Sequence, residues 1–267
     1  MKKKQKSTTL KLIFSFLLLI PIIFHLTDYN HIYKAVWYNF VNIDDYKIFH
    51  NRIITKSHDT DDWQYSEKFN QKKISAPSQH LLDSLKTTAF LVIKDKKIEI
   101  ERYYLDGSDS AHTNSFSVAK SYVSVLIGFA IQDGKIKSLD QPISDFIESF
   151  QNGKKSKITV RDVLMMSSGL DWDESYAGPF SITTKAYYGD NLKKIIDQQK
   201  AIEPAGKTFK YLSGNTQVLA FVLKKATGKS LSEYATEKIW KPLGHEQNAF
   251  WSLDKKNGDE KAYCCIS

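Results

Sequence analysis

Cysteine is almost missing from this 267-residue chain: only Cys264 and Cys265 occur, side by side near the C-terminus. Neighbouring cysteines rarely bridge each other without strain, so no disulfide framework is expected. No C-x-x-C pair with a second pair exists, which leaves a structural zinc site unsupported. H-E-x-x-H, G-x-G-x-x-G and the P-loop pattern are equally absent. Metal-dependent hydrolysis and nucleotide binding therefore lack their usual signatures, and neither a metal nor a cofactor is expected. No internal repeat is found, and there is no basic stripe interleaved with stacking aromatics. The formal charge is +8, yet five lysines fall within the first eleven residues and the others are scattered among carboxylates. A Lys-rich solvated surface explains that better than nucleic-acid binding.

What is present suits a packed enzyme-sized body. Apolar residues make up 42% of the chain, with 15 Phe, 14 Tyr and 5 Trp, enough for an ordinary core. The lysine-rich start runs into an apolar segment, Leu12 to Leu26. This reads as an export signal without a small-x-small cleavage site, hence a signal anchor over 1–30. By the positive-inside rule, a single-pass protein with its body on the periplasmic or extracellular side of the cell membrane is expected; secretion after cleavage is the alternative. Residues 31–84 read as a linker and N-terminal extension, and the globular pattern begins near residue 85.

Two strand-like runs, Thr88–Lys94 and Lys97–Tyr104, flank Asp95-Lys96 and predict a β-hairpin. A long apolar helix is predicted from Ser117 to Gly134. A second starts behind Thr159, with Asp162 at the capping-box position, and ends at Gly169. A third runs from about Asn215 to Gly228, and a fourth follows Ser230-Leu-Ser-Glu233. A strand pair followed by a helical block points to an α+β or α/β enzyme with a helical lobe.

Ser117-Val-Ala-Lys120 places a hydroxyl and an amine three residues apart, on one helix face. A lysine can take the serine proton if burial or a neighbouring positive group lowers its pKa. The first helical turn also leaves the serine's amide free to steady an oxyanion. Alone, the pattern is weak: Ser252-Leu-Asp-Lys255 matches it too and reads as a turn, and Ser117 could simply cap a helix. Asp171, Asp173 and Glu174 read as a solvated acidic loop that could also line a cleft; His112 reads as a non-catalytic surface residue.

Several segments in order resemble the serine β-lactamase-like superfamily, which includes class C β-lactamases, penicillin-binding proteins and 6-aminohexanoate-dimer hydrolases. They are Phe116-Ser-Val-Ala-Lys-Ser, Leu139-Asp-Gln-Pro-Ile-Ser, Ile158 to Trp172, Pro204 to Tyr211, Ser213-Gly-Asn-Thr-Gln and Pro242-Leu-Gly. The resemblance covers roughly residues 85–267. It implies an antiparallel sheet with a helical lobe, and hydrolysis of an amide or ester through an acyl-serine, without metal or cofactor. By position, Ser117 matches the acylated serine, Lys120 the motif lysine and Tyr211 the proton-shuttling tyrosine. Ser213 stands where the family often has Asn, and with Trp172 it is expected to bind substrate. The family's Lys/His-x-Gly motif on a late strand is not found, so a partial, C-terminally truncated domain is expected at 85–267. The alternative reading is a catalytically inactive membrane-anchored binding protein, or a truncated remnant of such an enzyme.

Overall fold

The computed structural model describes residues 19, 24, 26–27, 29–60, 63–176 and 178–267. In chain order the main elements are α1 (His31–Tyr38), β1 (His50–Ile54), β2 (Gln64–Tyr65), α2 (Ala76–Ser84), β3 (Ala89–Lys94) and β4 (Lys97–Tyr103). They continue with α3 (Ala119–Gln132), α4 (Val160–Leu164), α5 (Ile182–Tyr188), α6 (Leu192–Asp197), α7 (Ser213–Thr227), α8 (Leu231–Ala235) and β5 (Ala249–Leu253).

Helices α3 and α7 form the centre. In α3, Val123, Leu126, Ile127 and Ala130 are buried at helical spacing, giving one apolar stripe. That stripe packs on α7, which is buried on every side from Ser213 to Leu223. Gly228 closes α7 in the left-handed conformation (φ +72°), which costs glycine little. Capping boxes start α4 (Thr159 with Asp162) and α8 (Ser230 with Glu233). Helix α4 stops at Leu164, short of the expected Gly169.

The strands form two sheets. β1 and β5 pair antiparallel, Ile54 opposite Ala249 and His50 opposite Leu253, against the helical core. Ser252 and Leu253 thus end a strand, and the expected turn begins only at Asp254. The outer sheet has the order β2-β4-β3. Its β3–β4 hairpin is the one expected, with Asp95 and Lys96 both at positive φ (50° and 60°), as a tight hairpin turn requires.

Three features bear on the expectations. The segment 31–84, expected as a linker and N-terminal extension, carries α1, β1, β2 and α2, and its β1 pairs two hundred residues downstream. Cys264 and Cys265 are joined to each other, in a stretch whose residues 260–265 are all buried. There the Lys261 amide donates to the Ser252 carbonyl, the Ser252 amide donates to the Cys265 carbonyl, and Ile266 bridges to Trp251. Finally, the signal anchor and the single-pass membrane placement are corrected: among the described residues no helix is long and apolar enough to cross a membrane. Most of the apolar run at 12–26 lies outside the described residues.

Candidate active site

The nucleophile candidate sits where the chain turns into α3. Asn114 donates its amide to the Ile43 carbonyl (2.6 Å) and accepts the Phe116 amide at its side chain (3.3 Å). Ser115 donates its amide to Ile266 (2.8 Å). Phe116 is thereby held at φ +47°, a conformation that disfavours a bulky residue and persists only where surroundings impose it. The short turn Phe116–Val118 then leaves Ser117 exposed at the head of α3.

One turn on, the Lys120 amine donates to Ser117 Oγ (3.1 Å) and to the Tyr263 carbonyl (2.7 Å). It lies 5.1 Å from the centre of the Tyr211 ring and 5.9 Å from that of Tyr263, within cation–π range. Ser117 and Lys120, three residues apart, and Tyr211, more than ninety residues later, therefore meet around one amine. The loop bearing Tyr211 is fixed by the Lys210 amide, which donates to Met166 (2.8 Å).

Ser213 begins α7 and is buried. Its amide and hydroxyl both donate to Glu174, each at 2.6 Å. Tyr176 also donates its hydroxyl to Glu174. Partial burial, then this carboxylate, push the Tyr176 phenol up to about 12. Glu174 thus ties Ser213 and Tyr176 together, where the sequence suggests a solvated acidic loop that could also line a cleft; its only signal there is membership of the acidic trio around Trp172. Asp171 instead accepts the Lys200 amide (2.8 Å), and Asp173 the Ser175 amide (3.0 Å).

Trp172 does not line the cleft with the others. It is buried at 5% exposure, edge-on to Tyr263. A Cβ at Gly214 would lie 2.4 Å from its ring, so the indole is what makes glycine necessary at the start of α7. His112 packs on Phe250, with ring centres 4.6 Å apart. Tyr263 was not foreseen at all, since its contribution to Lys120 is a backbone carbonyl, which no side-chain pattern reveals.

Ser117, Lys120 and Ser213 open into a cleft of about 440 Å³. Its walls include Phe116, Tyr176, Tyr187, Tyr188, Tyr263 and Cys264, with Val36, Phe40 and Val41 from the N-terminal segment. Among the described residues, no His, Cys, Asp and Glu group could hold a metal ion.

The family model described as Beta-lactamase matches residues 79–260. The chain belongs to the beta-lactamase family. Within that family it is 26% identical, over 184 residues, to the 6-aminohexanoate-dimer hydrolase of Paenarthrobacter ureafaciens, covering 65% of this chain and 47% of the hydrolase. It is 23% identical over 201 residues to the protein named flp of Staphylococcus aureus (strain COL), covering 70% of this chain and 40% of that protein. The chain thus spans less than half the length of these relatives. Among solved structures, a Bacillus anthracis protein assigned as a 6-aminohexanoate-dimer hydrolase superposes with a TM-score of 0.66 at 20% identity, over 84% of this chain and 64% of that one. A Bacteroides dorei protein assigned as a beta-lactamase gives 0.55 at 20% identity, over 73% and 59%. These structures bear out the β-lactamase-like fold, a mixed α and β body with a helical lobe.

Proposed function

We propose that the chain is a serine hydrolase that cleaves a small-molecule amide or ester through an acyl-serine intermediate. The observation that carries this reading is the 3.1 Å hydrogen bond between Lys120 and Ser117 at the mouth of an apolar cleft. For attack, Lys120 turns a nitrogen lone pair to the Ser117 hydroxyl, reversing the hydrogen bond it donates there at rest, and keeps one N–H on the Tyr263 carbonyl. It takes the Ser117 proton as Oγ bonds to the substrate carbonyl carbon, and the carbonyl oxygen gains the charge. The Ser117 amide, at the turn entering α3, is the nearest candidate donor to that oxyanion. Tyr211 hands its proton to the departing amine or alcohol and regains one from the adjacent Lys120 ammonium, which returns Lys120 to the amine. A water molecule, losing its proton along the same route, then attacks the acyl-serine and frees the acid and Ser117. Glu174 acts on this set indirectly, by fixing Ser213 and the first turn of α7.

Labelling with a fluorophosphonate probe tests the reading. The folded wild-type chain should be labelled and should hydrolyse p-nitrophenyl esters, and Ser117→Ala should abolish labelling and cut hydrolysis by about a thousandfold or more. A folded but unlabelled wild type would instead support a binding protein that keeps the cleft and turns nothing over.

A further inference from the structure

The walls of the cleft come from two sources. Ser117, Lys120, Tyr176, Ser213 and Tyr263 lie at positions 79–260 or just beyond, in or next to the stretch the family model matches. Val36, Phe40 and Val41 lie well outside it, on α1 and the residues that follow. This second wall is firmly docked. His31 bonds through its ring to the Pro179 carbonyl (2.9 Å), and Tyr38 stacks on Tyr188 with ring centres 6.2 Å apart. Beyond the wall, Tyr187 donates its hydroxyl to Asp45 (2.6 Å), and Asn114 reaches Ile43 just before the nucleophile. The wall is therefore held in register with Ser117.

Docking does not bury its apolar side chains. Val36 is 70% exposed, Phe40 79% and Val41 52%, and all three face the same space as Ser117. Charge is scarce there. Lys120 is the only charged side chain among the described residues lining the cleft, and its amine is already engaged by Ser117 and Tyr263. Carboxylates stand just behind the walls, Glu174 behind Ser213 and Asp45 behind Tyr187. A substrate carboxylate entering this space would lose water, find no free cation and feel Glu174; an alkyl chain would gain contact with three apolar side chains.

We infer that Val36, Phe40 and Val41 are specificity-determining residues that select substrates with an uncharged apolar chain next to the scissile carbonyl, and reject those with a carboxylate there. The inference rests on the hydrolase reading and adds the substrate class to it. Because chain and wall meet both before and during reaction, the wall contributes mainly to binding.

Two p-nitrophenyl esters of matched length test this on the full chain: the pentanoate, and the glutarate monoester with its terminal carboxylate. Wild type should prefer the pentanoate by about a hundredfold in kcat/KM, in the range that one well-placed apolar contact against a desolvated polar group commands. Phe40→Ala should raise KM for the pentanoate about tenfold, with the loss falling on KM rather than kcat. Because Phe40 is exposed, the variant should unfold at the wild-type temperature. Val36→Lys, which puts a good helix former in α1 and adds a cation, should narrow the preference by tenfold or more through a lower KM for the glutarate ester. Equal rates on the two esters, or a Val36→Lys preference unchanged from wild type, would overturn the inference while probe labelling of Ser117 left the hydrolase reading standing. An unlabelled chain would overturn both.

Discussion

The helical body and the outer sheet of this protein are built on opposite terms. In the body, Val123, Leu126, Ile127, Phe150 and Val222 are at most 1% exposed. In the outer sheet and the helix beside it, Ile100 is the only buried apolar residue, while Leu81, Leu85, Leu91 and Ile93 are 45–68% exposed. Full burial of such a side chain contributes about 1.5–3 kcal/mol, so cohesion is concentrated in the body. Every residue proposed for chemistry is found there as well. A serine, an amine and a phenol must keep their distances to within a fraction of an ångström. Only the region with dense packing can enforce that, whereas the outer sheet should open locally at lower cost.

The comparison can be tested from its strongest consequence down. Lys120→Arg should cut kcat/KM by about a hundredfold or more, since a guanidinium stays protonated and cannot take the Ser117 proton. Activity retained in that variant would break the assignment of base to the body's central helix. Leu126→Ala should cost about 2–5 kcal/mol in urea unfolding, against roughly 0.5 kcal/mol or less for Leu91→Ala. Similar costs at the two sites would erase the contrast. Amide exchange should follow the same order, with β3 and β4 exchanging well before α3 and α7.

The body also holds a buried charge. Lys261 is fully buried and donates to the carbonyls of Ala186 (2.9 Å) and Gly189 (3.3 Å). Burial lowers its pKa to about 7 from the ordinary 10.5, with Asp254 opposing. Above pH 7 the unfolded chain keeps a proton that the folded chain releases. Stability should therefore rise with pH between about 7 and 10.5, by up to about 1.4 kcal/mol per unit. Below pH 7 both states hold the proton, and this dependence vanishes. Urea unfolding of Lys261→Met at pH 7 and 9.5 should show a smaller difference than wild type. The last of these effects is expected for Glu174→Ala. It strips the Ser213 amide and hydroxyl of their shared acceptor, costing about 1–3 kcal/mol, and a melting curve unchanged from wild type would show that water replaces the carboxylate there.

Local chemistry wrote much of this fold plainly into the residues. Thr159 with Asp162 and Ser230 with Glu233 start helices because the caps are made within four residues. Asp95-Lys96 turns a hairpin because alternating strands on either side demand it. The S-x-x-K spacing brings Ser117 and Lys120 together because a helical turn does so anywhere. Spacing and order also sufficed to show the resemblance to the family. The outcome for Trp172 differed, because an aromatic that packs on Gly214 and one that touches substrate look alike in sequence. Glu174 was passed over because a carboxylate gains its role from a partner thirty-nine residues away.

What the chain determined by itself, then, is whatever nearest neighbours along the backbone can enforce: caps, turns, periodic apolar faces and the serine–lysine pair. Only the tertiary structure decided that strand 50–54 pairs with 249–253, that the Tyr263 carbonyl holds Lys120, and that residues 35–41 wall the cleft. Those contacts join segments far apart in sequence, and their energy comes from water excluded between surfaces that no single stretch of residues contains.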